Sequence, residues 1–452
     1  MRCKDNPAPL SFAPMNLLPV LEGLHSAEAF HPAFLTSFFE RVRELEQDPG
    51  AYQDALRGKL IATVFEEPST RTRLSFEAAA KRLGGQVITV ADPKTTSAAK
   101  GETLHDMAKV LGGYADLIVW RHASDGASRL ASQAAGVPIV NGGDGRLGHP
   151  TQTLLDLYTL SREWGDFRGR TVALMGDLKN GRTARSLAWA LAVLGVRIVL
   201  LPSPSLNWES SFERRILDRF DYRLVQARHP LFRSWIGSDE AFLLEPRGVA
   251  QGDLFPEQSA ALHKIDAMYL TRLQDERGAR QGGAPYPGVT PEVMADPLLS
   301  DCLLLHPLPR RGELPPTLDS DPRALYFEQA KMGPLVRMGV FLAFLRPDLW
   351  PLPTLQPLPS GCRDHDLGTC PNTGCITHSQ KLRAPWRTEG RSRRRFLCAY
   401  CDALLPIDYI GCCSSRKVHP IHSPKAQSIR PENLRPFVSR EDAERESYSW
   451  GS

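Results

Sequence analysis

The stretch Phe65-Glu66-Glu67-Pro68-Ser69-Thr70-Arg71-Thr72-Arg73-Leu74-Ser75-Phe76-Glu77 constrains the fold of this chain more than any other. Before it, residues 60–65 are a short apolar, partly β-branched run that reads as a buried strand. After it, Phe76, Ala79, Ala80 and Leu83 fall at helical spacing, and Gly84-Gly85 supplies the stop. Pro68 breaks the strand, and Ser69 or Thr70 can cap the helix that follows. The unit is strand, turn, helix, with hydroxyls and guanidinium groups gathered at a helix N-terminus. Backbone N–H groups and the helix dipole favour an anion there. Arginine matches phosphate oxygens in a bidentate fork, so Arg71 and Arg73 with the neighbouring hydroxyls suit a phosphate. Taken alone, the motif also reads as a capped helix with exposed arginines.

The rest of the chain extends the same pattern. Residues 30–45 read as an amphipathic helix. Strands at 86–90, 116–120 and 137–140 alternate with helices at 102–111 and 127–135, which implies a parallel sheet with helices on both faces. A long helix over 150–163 leads into a second alternating set at 171–175, 181–194, 197–201, 265–270 and 302–305. The fold class is therefore α/β, with two doubly wound parallel-sheet domains over 1–150 and 151–330. A closing amphipathic helix is expected over 334–345, within a returning segment at 331–350. Residues 228–262 are read as a surface insertion on the second domain. Residues 1–20 carry no strong pattern and are expected to be poorly ordered. A proline-rich linker at 351–361 separates a cysteine-rich unit at 362–415, and the polar residues 416–452 are expected to be a flexible tail.

Composition narrows the class. At 452 residues the chain exceeds one ordinary core. Its net charge of +4 gives no global signal for nucleic acid or membrane. There is no apolar run of spanning length and no signal-peptide pattern at Met1-Arg2-Cys3-Lys4-Asp5, so a cytoplasmic location is expected. Seven of the nine cysteines lie between Cys362 and Cys413, and such clustering in a reducing compartment argues for metal before disulfides.

Ser69-Thr70-Arg71-Thr72-Arg73 resembles the phosphate-holding motif of the aspartate and ornithine carbamoyltransferases, and other motifs follow in the family's order. Ser97 and Lys100 match a loop that reaches into a neighbouring subunit's active site, which implies a homotrimer with shared sites. Met107 stands where a small polar residue is more usual. Arg121, at the carboxyl end of a strand, matches an arginine on the phosphate and carbonyl oxygen of carbamoyl phosphate. His149-Pro150-Thr151-Gln152 matches H-P-T-Q: His149 would donate to the carbonyl oxygen and Gln152 would bind the carbamoyl nitrogen. Arg182 matches an arginine on a carboxylate of aspartate. Arg272-Leu273-Gln274 matches the aspartate members' R-x-Q, and Pro307 stands where ornithine members usually have cysteine. The backbone carbonyls of Pro307 and Leu308 would hold the carbamoyl amino group. The resemblance implies carbamoyl transfer from carbamoyl phosphate to L-aspartate in pyrimidine biosynthesis, with Arg71, Thr72, Arg121 and His149 catalytic and no cofactor for that step. Carbamoyl phosphate would meet Ser69, Thr70, Arg71, Thr72, Ser97, Lys100, Arg121, His149, Gln152, Pro307 and Leu308. Aspartate would meet Lys100, Arg182, Arg272 and Gln274. Ornithine as acceptor and a non-catalytic partner subunit are the competing readings; the R-x-Q and the complete set of matched residues disfavour them.

Cys370, Cys375, Cys398 and Cys401 form C-x4-C and C-x2-C with twenty-two residues between the pairs, a set that can close a tetrahedral Zn2+ site. Cys362, His365, His378, Cys412 and Cys413 fit that spacing less well. The unit resembles the zinc domain of the aspartate carbamoyltransferase regulatory chain, fused here behind the enzyme-like region. That family's nucleotide-binding domain has no room between Leu349 and Cys370. The resemblance implies a zinc unit for assembly, through which trimers would pair into a dimer of trimers. A nucleic-acid-binding ribbon is the rival reading, on the basic run Arg387, Arg391, Arg393, Arg394 and Arg395. No aromatic interleaving supports it, and no nucleic-acid or membrane partner is expected.

Overall fold

Alternating side chains of the first strands feed two different cores, and this builds the first domain as three layers. The computed structural model describes residues 23–91, 101–247, 262–277, 286–356, 370–382, 385–389, 395–430 and 433–451. The expectation for residues 1–20 lies outside them. Strands β1 (Gly23–Leu24), β2 (Leu60–Phe65), β3 (Gln86–Val90), β4 (Leu117–His122) and β5 (Ile139–Asp144) form a parallel sheet in the order β1-β5-β4-β2-β3. Ile61, Phe65, Leu117 and Val119 face one core, with helices α1 (Pro32–Gln47) and α2 (Thr70–Arg82). Ala62, Val64, Ile118 and Trp120 face the other, with α3 (Leu104–Gly112) and α4 (Ala127–Ala135). Burial on both faces is what makes these strands continuous apolar runs.

Helix α5 (Pro150–Trp164) carries the chain into the second domain. Strands β6 (Thr171–Gly176), β7 (Arg197–Pro202), β8 (Tyr222–Arg228), β9 (Glu240–Pro246), β10 (Ala267–Leu270) and β11 (Leu303–Leu305) form a sheet in the order β11-β10-β6-β7-β9-β8. Helices α6 (Arg182–Val193) and α7 (Ser210–Phe220) pack on the face shared with the first domain. Of the segment read as a surface insertion, residues 228–247 instead fold into the sheet and onto its outer face, and residues 248–261 lie outside the described residues. Short helix α8 (Phe232–Ile236) covers the outer face, and β9 lies between β7 and β8, antiparallel to both. Leu243 and Leu244 point to opposite faces and are both buried, so β9 is an inner strand.

Helix α9 (Tyr326–Leu345) returns to the first domain and packs against α1, α2 and α5. It starts eight residues before the expected 334, because Pro334 is tolerated inside it. Gly339 lets it approach α1, since a Cβ there would sit 3.0 Å from Val42. The proline-rich stretch after it is anchored where it is described. Trp350 is fully buried against Tyr52, and the Gln356 N–H donates to the Ala29 carbonyl at 2.9 Å.

The cysteine-rich region holds an antiparallel pair, β12 (Trp386–Glu389) and β13 (Arg395–Cys398), and a four-stranded sheet. That sheet contains β14 (Tyr409–Cys412), β15 (Lys417–Pro420), β16 (Leu434–Phe437) and β17 (Ser449–Trp450). The residues expected to be a tail are therefore largely structured. Val418, Phe437, Ala443 and Tyr448 give them a small core, which is sparse enough in sequence to read as polar. Cys370, Ile376, Phe396 and Ile410 belong to the same core as Trp120 and Leu130, so the unit docks on its own chain's first domain. At the seam, Arg129 of α4 donates to both oxygens of Asp402, at 2.8 and 3.0 Å. Arg387 donates to the same carboxylate at 2.7 Å, and Arg215 of α7 binds Glu28 and Glu389 beside it.

Asp402 is fully buried, and although burial opposes its charge, Arg129, Arg387 and Arg215 hold its pKa well below the usual carboxylate range. Its contribution is thus complete above about pH 4 and is lost as pH falls through the depressed value. Asp402→Asn should cost roughly 3–5 kcal/mol, the usual price of breaking a buried pair. Denaturant unfolding of the full chain at pH 7 measures this, and the difference from the wild-type chain should shrink in strong acid.

Candidate active site and metal centre

Ser69 sits at the N-cap of α2 with extended backbone, but its hydroxyl donates to Thr72 Oγ1 at 2.9 Å and caps no backbone N–H. The capping expected from Ser69 is not made. The first turn of α2 therefore keeps its N–H groups directed at a cavity of about 340 Å³ between the two domains. Ser69, Thr70, Arg71, Thr72, Arg121, His149, Gln152, Arg182, Arg272, Gln274, Pro307 and Leu308 all line this cavity. Ser97 and Lys100 lie outside the described residues.

Each group is placed by a local device. Arg121 is the penultimate residue of β4, where its Nη1 donates to the Gly142 carbonyl at 3.1 Å. His149 precedes Pro150 at the start of α5, and its N–H donates to Ser186 Oγ at 3.0 Å. Gln152 Nε2 donates to Asp156 Oδ1 at 2.7 Å, which leaves its amide oxygen for a ligand N–H. Gln329 Nε2 donates to the same Asp156 oxygen at 2.6 Å, while Gln329 Oε1 accepts from the His306 N–H at 2.9 Å. This chain of bonds ties α5, α9 and the loop after β11 together. Burial pushes the Asp156 carboxyl up to about 7.

Leu308 has φ of +56°, in the left-handed region that a branched side chain rarely enters. It is held there by N–H donation to His306 Nδ1 at 2.7 Å. His306 Nε2 therefore carries the proton and donates to Glu313 Oε1 at 2.7 Å. Burial lowers the His306 pKa, in keeping with a neutral ring.

The cavity is strongly cationic, and two acids share its guanidinium groups. Glu67 accepts from Arg121 and, at 2.6 and 3.1 Å, from Arg182, so one carboxylate bridges the two domains. Glu276 accepts from both terminal nitrogens of Arg272. Partial burial and the neighbouring Arg272 lower the Arg71 pKa. Sequence reasoning gave no role to Glu67, Glu276, Asp156, Gln329 or Glu313. Glu67 alone had a local signal, two residues before Ser69 in the same turn.

The four cysteines Cys370, Cys375, Cys398 and Cys401 come together, their sulfurs within 4.8 Å of one another. Cys370 and Cys401 are 3.5 Å apart and Cys375 and Cys398 are 3.8 Å apart. Four sulfurs about 2.3 Å from one tetrahedral ion would be about 3.8 Å apart, so the set fits structural zinc. His378 instead bonds the Cys370 carbonyl at 2.7 Å, and Cys412 and Cys413 lie outside the cluster. Arg387 of the basic run is buried against Asp402 and Arg395 pairs with Asp218, so these two face protein rather than a nucleic acid.

An interdomain cleft lined by a phosphate-type helix N-terminus and by paired guanidinium groups defines a transferase that joins two anionic substrates. Residues 23–162 match the aspartate/ornithine carbamoyltransferase, carbamoyl-P binding domain, and residues 365–410 match the aspartate carbamoyltransferase regulatory chain, metal binding domain. An aspartate carbamoyltransferase catalytic subunit of Thermoplasma acidophilum is 42% identical over 303 residues, covering 66% of this chain and 89% of that protein. The chloroplastic aspartate carbamoyltransferase of Arabidopsis thaliana is 39% identical over 336 residues, 73% of this chain and 78% of its own. Among solved structures, the catalytic subunit of M. jannaschii aspartate transcarbamoylase has a TM-score of 0.58 at 34% identity, covering 73% of this chain and 99% of that one. The Trypanosoma cruzi enzyme with carbamoyl phosphate and aspartate has a TM-score of 0.57 at 31% identity, covering 75% and 99%. The chain belongs to the aspartate carbamoyltransferase family.

Because the zinc unit has little core of its own, metal should supply much of its folding free energy. Metal analysis of the purified chain should find one zinc per chain, and Cys398→Ser should lose it. Hydrogen exchange should then rise over β12 and β13 while β6 and β7 stay protected.

Proposed function

We infer that this chain transfers the carbamoyl group of carbamoyl phosphate to the amine of L-aspartate, releasing phosphate. The observation that carries this reading is the single cavity in which the first turn of α2 faces Arg182 and Arg272. One wall suits a phosphate and the other a dicarboxylate, because each guanidinium can take a carboxylate in a fork. Both acceptor-side arginines already hold carboxylates, Glu67 and Glu276, at such distances.

The amine attacks the carbonyl carbon, and negative charge grows on the carbonyl oxygen. Thr72, Arg121 and His149 are the groups assigned to that charge, as preformed donors in a partly enclosed site. The amide oxygen of Gln152 and the carbonyls of Pro307 and Leu308 take the carbamoyl N–H groups. Phosphate leaves into the cradle of Ser69, Thr70, Arg71 and Thr72 with Arg121. Holding two anions side by side against their repulsion supplies much of the rate gain. The reading gives Ser97 and Lys100 to a neighbouring subunit's site, and so makes the active form a homotrimer. The buried Cys302 thiol and the four-cysteine cluster suit a reducing compartment, which supports a cytoplasmic enzyme.

Steady-state assays with both acceptors test the assignment. Carbamoyl aspartate should form and carbamoyl ornithine should not; the reverse would contradict the acceptor reading. Thr72→Ala should lower kcat roughly 10²–10³-fold, the loss of one donor to the developing oxyanion. Arg272→Ala should act mainly on the KM for aspartate. Arg71→Ala with near wild-type turnover at saturating substrate would contradict the phosphate cradle.

A further inference from the structure

A second cavity, of about 580 Å³, lies between the zinc unit and the second domain, away from the groups assigned to carbamoyl transfer. Six cations line it: Arg146, Lys179, Arg185, Arg214, Arg215 and Arg395. Only Asp125, Glu209 and Asp402 oppose them there. Two of those acids are committed elsewhere. Asp402 is held by Arg129 and Arg387, and Asp125 accepts from the Arg146 N–H and from Asn372 Nδ2.

Positive charge is thus left over. Among the described residues, the side chains of Lys179, Arg185 and Arg214 make no hydrogen bond and no ion pair with a carboxylate. Arg185 lies over the Phe212 ring at 4.1 Å, and burial with the neighbouring Arg215 lowers its pKa. Arg395 pairs with Asp218, and Arg215 with Glu28 and Glu389; the Arg215 side chain is 2% exposed, yet its Nη1 has no hydrogen-bond partner among the described residues, and Asp402 Oδ2 is 4.0 Å away. Cations crowded together without counter-charge repel one another, and burial raises the cost. An anion in the cavity relieves both. The N-terminus of α7, which Glu209 leaves uncapped, opens on the same space through Ser210 and Ser211. Trp208, Phe396 and Leu405 add an apolar wall.

We propose that this cleft is a second anion site, which binds a small polyphosphorylated molecule through Lys179, Arg185 and Arg214. Several cations at separate points of one cavity suit a chain of phosphates better than a single carboxylate. Its volume suits a metabolite-sized ligand. Arg185 lies one helical turn after Arg182 on α6, so an occupant would touch the helix that also lines the catalytic cleft.

Calorimetric titration of the full zinc-loaded chain with inorganic tripolyphosphate tests this. The catalytic cleft also suits phosphate, so the titration is run in an Arg71→Ala background. One ion per chain should still bind. Adding Lys179→Ser and Arg214→Ser, both exposed positions, should weaken binding at least about tenfold, as two cation–phosphate contacts are lost. Arg168→Ser with Arg228→Ser removes the same charge at side chains 80% and 66% exposed elsewhere, and should leave binding within about twofold. The proposal is overturned by no binding in the Arg71→Ala chain, by binding that survives the cavity substitutions, or by equal loss in the distant pair.

Discussion

The buried Asp402 carboxylate is the point on which the three parts of this chain converge. It lies in the zinc unit, receives two hydrogen bonds from Arg129 of the first domain, and stands 4.0 Å from Arg215 of the second. Arg387 completes its charge balance from within the zinc unit. A lone guanidinium or carboxylate at that depth would be heavily penalised, and only the assembled set is tolerable. Glu28 and Glu389 extend the network on the far side of Arg215. The relative placement of three modules is therefore set by charges that none of them can satisfy alone.

From that seam a short path leads to the chemistry. Cys375 forms a bridge with Asp125, whose N–H donates to the Gly374 carbonyl and whose carbonyl accepts from the Ile376 N–H. Asp125 lies in the loop between β4 and α4, and β4 ends with Arg121 and His122. The metal cluster thus braces the loop that follows Arg121. On the opposite side, α9 packs on α2, where Arg337 donates to Ser75 Oγ at 2.9 Å and Phe341 meets Phe76. The α2 wall of the cleft is held from behind by a helix from the far end of the enzyme region, and the loop after Arg121 is held by the zinc unit. Such support on rigid elements is what a preorganised site requires.

The legible parts of the sequence were those in which one local rule sufficed. Strands buried on both faces, the helix after Pro68 and the paired cysteines each carry their own signal, and the structure places all twelve described active-site candidates around one cavity. The illegible parts depend on partners distant in sequence. Strand β9 is apolar enough to be a strand, but its place between β7 and β8 is set by pairing on both edges. The last sheet looks polar because its core is small and because it leans on its neighbours for burial. Helix α9 passes through Pro334, against the local rule, since packing on three helices outweighs one missing backbone bond. Glu67 reads as one acid among many until Arg121 and Arg182 are seen on either side of it.

The zinc unit is clamped to the first domain of its own chain rather than to another copy. Gln133 of α4 and Tyr400 meet at this seam, with the Tyr400 hydroxyl 3.2 Å from the Gln133 amide oxygen. A photo-reactive amino acid in place of Gln133, in a mixture of chains refolded together with light and heavy nitrogen, reports the arrangement by mass spectrometry. The adducts should join position 133 to the peptide around Tyr400 and carry a single isotope label throughout. Adducts that mix the two labels would show that the seam is made between chains and would contradict the account.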